Sequence, residues 1–131
     1  MNSDKVKINK DEFKKIFKKR LYEFILDLVK FVDALDKKDP TCRVINEQLI
    51  DSGTGMLSNY LEALVGSSKR DFANYFRYCL KCCNESKMWV AVLRDSGKTN
   101  REIANKLLKE LEEFGNIFAS SLITLKGNKS V

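Results

Sequence analysis

Residues 43–93 read RVINEQLIDSGTGMLSNYLEALVGSSKRDFANYFRYCLKCCNESKMWVAVL, and the spacing within them decides the fold class. Between Thr41 and Val65, residues Cys42, Ile45, Leu49, Ser52, Met56, Asn59 and Ala63 recur every three or four positions and so share one face of a helix. Beyond Ser68, Phe72, Phe76, Cys79, Cys83, Val90 and Leu93 repeat that rhythm to about Arg94. Gly66 is placed to cap the first segment. Ser67 or Ser68 opens the second, with Ser68 and Asp71 at the spacing of a capping-box variant. Gly53 and Gly55 stand mid-helix, where each costs about 0.8–1.0 kcal/mol relative to alanine. That cost is explained if a neighbouring helix must approach closely at Ser52–Gly55; the competing reading is a looped break. A phosphate-cradling loop fits poorly, because no strand precedes Gly-Thr-Gly and no third glycine follows.

The flanks supply two more helices. From about Asp11 to Asp36, Phe13, Phe17, Leu21, Phe24, Leu28, Phe31 and Leu35 form a stripe. Asp39 and Pro40 then suit the N-cap and first position of the next helix. From Thr99 to about Leu125 the stripe is Ile103, Leu107, Leu111, Phe114, Phe118, Leu122 and Leu125. Gly97 ends the preceding helix, and Thr99 with Glu102 reads as a capping box. Short connections favour antiparallel neighbours. The expectation is an all-α, up-down-up-down four-helix bundle: one domain over 1–131, with its structured part at about 10–126.

Composition narrows the function classes. A chain of 131 residues with one proline and six glycines has few of the punctuated turns an all-β fold needs. No apolar run approaches the roughly 18 residues of a membrane span, and the charged N-terminus lacks the core of a signal peptide. A cytoplasmic protein without a membrane role is expected. The net charge of +6 is concentrated: residues 1–20 carry eight positive and three negative side chains. On the first helix Lys7, Lys15, Lys18 and Lys19 point away from the core stripe, with Lys14 on its flank. On the third, Arg70, Asn74, Arg77, Lys81 and Glu85 form a mainly basic stripe. Such faces suit nucleic acid, an anionic membrane surface or an acidic partner, although basic solvated faces are also common on helices. The apolar arc of the third helix is wide, since Tyr75, Tyr78, Cys82 and Trp89 form a shoulder beside its core stripe. That shoulder is expected to meet a second subunit, with packing inside the domain as the alternative for Trp89.

Histidine is absent, which removes the commonest general base and every His-containing metal site. Cys79 and Cys82 have C-x-x-C spacing without a surrounding βαβ pattern, and with Cys42 and Cys83 they are expected to be reduced core thiols. Ser96-Gly97-Lys98-Thr99 is like the tail of a phosphate-binding loop, but Val92 occupies the position of the required glycine. No catalytic pair, cofactor site or metal site is read from the sequence.

Arg43, Ile45, Gln48-Leu49-Ile50, Ser52, Asn59-Tyr60, Glu62-Ala63, Ser68, Asp71-Phe72, Leu80-Lys81, Glu85-Ser86 and Trp89 form a pattern. It resembles that of the bacterial four-helix-bundle proteins encoded in intervening sequences of 23S ribosomal RNA genes, a group related to the accessory proteins of retroelements. The resemblance runs from about Phe17 to Lys126 and includes the tail FGNIFASSLITLK. Two positions depart from it: Gly55 stands where a serine is expected, and Cys82 where an acidic residue is expected. The resemblance implies an antiparallel bundle, a homopentamer and, by analogy with the retroelement group, contact with RNA or DNA.

The expected function is therefore that of a non-enzymatic homo-oligomer binding nucleic acid through Lys14, Lys15 and Lys18 of the first helix or Arg70, Arg77 and Lys81 of the third. Tyr75, Tyr78 and Trp89 are the expected subunit interface. The alternative is a protein-binding scaffold with no nucleic-acid role.

Overall fold

A computed structural model describes residues 8–66 and 68–129. Four helices follow one another: α1 (Lys10–Asp33), α2 (Pro40–Val65), α3 (Lys69–Asp95) and α4 (Arg101–Lys129). Each packs on its chain neighbours and α4 returns to α1, whereas the diagonal pairs make no close backbone contact. This is the up-down-up-down bundle. The α2–α3 and α3–α4 seams are far more extensive than those made by α1.

Local chemistry sets the helix ends. Asn9 caps α1, its Oδ1 accepting from the Glu12 amide at 2.8 Å. α1 stops at Asp33 rather than Asp36, because the Asp36 carboxylate accepts from the Lys38 amide (2.9 Å) and turns the chain. Asp39 caps α2 through the amides of Thr41 (2.8 Å) and Cys42 (3.2 Å), with Pro40 at the first helical position. Ser68 caps α3 by accepting from the Asp71 amide at 3.1 Å; Ser67, the other candidate, lies outside the described residues. Gly97 ends α3 with a φ of 73°. Its amide bonds Arg94 O (3.1 Å) while that of Lys98 reaches Leu93 O (3.0 Å), the paired closure a left-handed residue permits. Gly66, by contrast, caps α2 in an extended conformation (φ −62°, ψ 142°).

One cap differs from expectation. Asn100, not Thr99, precedes α4, and its Oδ1 accepts from the Ile103 amide at 2.9 Å. Its own carbonyl accepts from Ala104. The helix therefore begins one residue later, and Glu102 falls in its first turn without closing a box.

The core holds six of seven expected α1 residues, but Phe13 is 44% exposed because the bundle end leaves its outer edge uncovered. On α4 Ala104 is buried and Ile103 is 49% exposed. On α2 Tyr60 is buried in place of the half-buried Asn59. Phe72 is half-buried against the core rather than within it. Phe17, Phe24, Phe76, Phe114 and Phe118 interlock through edge-on ring contacts with centroids 5.5–5.8 Å apart.

The Ser-Gly-Thr-Gly patch remains helical throughout. A Cβ on Gly53 would collide with Leu28 Cδ2 of α1, and one on Gly55 would sit 2.7 Å from Cys82 Sγ of α3. The two glycines thus admit neighbours on opposite sides of α2. Between them in space, Ser52 Oγ meets Ser86 Oγ at 2.8 Å in the buried α2–α3 seam. With the Ser52 proton on Leu49 O (3.3 Å), Ser86 is the donor across the pair. Ser52→Ala is expected to cost about 1–3 kcal/mol, since the Ser86 hydroxyl is left without that partner. The double replacement by alanine should cost less than the two single changes together. Urea unfolding of the four proteins in a double-mutant cycle measures the difference.

At the end formed by the α1–α2 and α3–α4 loops, Lys98 Nζ pairs with Asp39 Oδ2. The hydrogen bond from Lys98, aided by those from the cap amides, holds the Asp39 carboxyl below its ordinary 3.8. The same bond raises Lys98 above 10.5. Asp39 is depressed on folding, so its contribution is full above pH 3.8 and is lost as the pH falls through its lower folded value. Lys98 is raised, so its contribution is full below pH 10.5 and is lost as the pH climbs past its folded value. Lys98→Met should therefore flatten both flanks of the stability–pH curve, as read from melting temperature at acidic, neutral and alkaline pH.

Candidate nucleic-acid interface

The opposite end gathers the start of α1, the end of α2, the start of α3 and the end of α4. There the amphipathic pattern of α3 turns Arg70, Asn74 and Arg77, one helical turn apart, toward the last turns of α4. An open groove of about 980 Å³ results. Arg70, Arg77, Lys69 and Lys126 line it, over apolar walls that include Leu122 and Ile123. Arg77 Nη1 is steadied by Asn74 Oδ1 at 2.8 Å. A smaller hollow of about 390 Å³ adjoins it, lined by Lys14, Leu64, Lys69, Phe72 and Leu125. Lys69 belongs to both. Among the described residues no acidic side chain lines either one, although Asp71 lies beside Gly66 at the edge of the smaller hollow.

The expected contact residues divide on this geometry. Lys14 from α1 joins Arg70 and Arg77 from α3 at one end of the bundle, although they are more than 50 residues apart in sequence. Lys15, Lys18 and Lys81 are exposed but line neither hollow. Lys7 lies outside the described residues. Lys69 and Lys126 were missed by the sequence reading; their signal was position, at the first turn of α3 and near the end of α4, which only antiparallel packing brings together. Not every cation near the N-terminus is free for a ligand. Arg20 donates to Glu110 of α4, approaches Glu113 (3.5 Å) and lies over the Phe114 ring at 5.1 Å.

The expected interface residues lie on the outer shoulder of α3. Tyr78 is 54% exposed, whereas Tyr75 and Trp89 are half-buried and pack against the core. The Trp89 Nε1–H is buried without a hydrogen-bond partner. A second apolar stripe was overlooked: Tyr22, Leu26 and Val29 lie one turn apart on α1, opposite its core face, and all are exposed. Its signal was present in the three-and-four spacing, masked by the stronger phenylalanine stripe of the same helix.

The cysteines are free thiols. Cys79 Sγ donates to Met56 O (3.5 Å) and Cys83 Sγ to Leu111 O (3.0 Å). Burial pushes Cys79 up to about 12 and Cys83 up to about 11, so both are protonated and poor nucleophiles at neutral pH. Cys82 is raised chiefly by burial, and by Glu85 and Asp51. Gly55 and Cys82, the two departures from the resembling pattern, face each other across α2–α3. The sulfur takes the space that a side chain at position 55 would need.

The comparisons with known proteins agree with the bundle. The family profile described as 23S rRNA-intervening sequence protein matches residues 14–120. The chain belongs to that family. A protein of unknown function from the S23 ribosomal protein family of Bacteroides thetaiotaomicron VPI-5482, solved by crystallography, is similar at 26% identity and a TM-score of 0.73. The match covers 80% of this chain and 96% of that one. No curated protein matches this family member. Among its described residues no helix is long and apolar enough to cross a membrane.

Proposed function

We propose that this 23S rRNA-intervening sequence family member is a non-enzymatic, cytoplasmic homo-oligomer that binds RNA or DNA through the basic end of its bundle. The observation that carries the reading is the convergence of Lys14, Lys69, Arg70, Arg77 and Lys126 on adjoining hollows with no acidic residue among their described lining. Cations gathered in this way displace condensed counterions from a phosphate backbone, a binding mode with a steep salt dependence and little sequence preference. Self-association is supported by the exposed apolar residues on two outer faces, Tyr22, Leu26 and Val29 on α1 and Tyr78 and Val92 on α3. Five copies, the number the family resemblance implies, would present five basic ends and raise a modest single-site affinity through effective concentration.

Two measurements on the full chain test the proposal. Light scattering should give a mass several times that of the 15.1 kDa chain. Anisotropy titration with labelled RNA and DNA at about 50 mM salt should give saturable binding that collapses toward 200 mM. Flat titrations at low salt would remove the nucleic-acid role and leave the scaffold reading, in which the exposed apolar faces receive another protein.

A further inference from the structure

We propose that the basic end takes single-stranded rather than duplex nucleic acid, with Phe72 as a base-stacking platform. The inference rests on the nucleic-acid reading above and deepens it. Phe72 is half-buried, stacked on Phe76 with ring centroids 4.3 Å apart and planes 26° from parallel. Phe76 in turn meets Phe118 edge-on at 5.5 Å, so the platform is braced by the core. Phe72 also lines the smaller hollow, together with Lys14 and Lys69. The larger groove continues from it with cations on its rim and an apolar wall on which Ile123 is 72% exposed.

Cationic rims beside an aromatic ring and aliphatic walls match a flexible strand, whose phosphates and base faces are both accessible. A duplex keeps its base faces stacked inside, so Phe72 and Ile123 would find no counterpart. A purely electrostatic site would need neither residue. The braced ring costs little to order, because its orientation is already set by packing.

The test compares labelled single-stranded RNA and DNA of about 12 nucleotides with the corresponding duplexes, using the full chain at low salt. Single strands are expected to bind about tenfold more tightly than duplexes. Phe72→Leu, which retains an apolar side chain against Phe76, should remove about tenfold of single-strand affinity and reduce duplex affinity far less. Circular dichroism melts confirm that the variant is folded. Duplex binding equal to or tighter than single-strand binding overturns this inference and leaves the general nucleic-acid reading intact. Unchanged single-strand affinity in a folded Phe72→Leu protein also overturns it. Loss of both single-strand and duplex binding in wild-type protein would overturn the broader reading as well.

Discussion

Reversing Arg70 and Arg77 together to glutamate is expected to lower affinity for RNA roughly a hundredfold at low salt, and to reduce the slope of log K against log salt by about two. Both guanidiniums line the groove between α3 and α4, and none of its described lining residues is a carboxylate. Replacing a cation by an anion removes one phosphate contact and adds a repulsion, so the effect exceeds that of truncation to alanine. The matched control is Lys15→Glu with Lys18→Glu, which changes net charge equally on residues outside both hollows. That control should lose far less, through long-range attraction alone. All four side chains are exposed, so melting temperatures should hardly move. Equal losses in the two double variants would mean that net charge, rather than the groove, governs binding.

Gly53→Ala is expected to destabilise the protein by about 1 kcal/mol, although alanine is the better helix former by nearly that amount. The added Cβ would collide with Leu28 Cδ2, and Leu28 is fully buried, so its side chain has no solvent space into which to move. Overpacking of this kind costs roughly 1–3 kcal/mol and outweighs the gain in propensity. Leu28→Ala alone should cost about 2–5 kcal/mol as a cavity in the core. In the Leu28→Ala background the sign for Gly53→Ala reverses: the new methyl fills part of the cavity, and the propensity gain is unopposed. Denaturant melts of wild type, both single variants and the double variant give the coupling directly. Stabilisation by Gly53→Ala in the wild-type background would show that close approach of α1 does not explain this glycine.

The bundle was legible because each helix carries a stripe long enough to outvote its exceptions. Asp39–Pro40, Ser68 and Gly97 marked boundaries through chemistry confined to neighbouring residues. Thr99 misled because Asn100, the next residue, is a better capping acceptor, and the Thr99–Glu102 spacing of a capping box drew attention from it. Phe13 and Ile103 misled because periodicity identifies a face without saying where along the helix the neighbours stop. Site legibility was poorer for a related reason. Lys14, Lys69, Arg70, Arg77 and Lys126 belong to three helices, and only the packing of helix ends brings them together. Helix phase alone ranked Lys15, Lys18 and Lys81 alongside Lys14, Arg70 and Arg77, and passed over Lys69 and Lys126.

Ultraviolet cross-linking of the full chain to single-stranded RNA, followed by peptide mapping, tests the location of binding most directly. Adducts concentrated in residues 69–77 and 122–126, with Phe72 prominent, are the expected result. Adducts confined to the opposite end, at residues 34–39 and 96–100, or spread evenly over all four helices, would contradict the account.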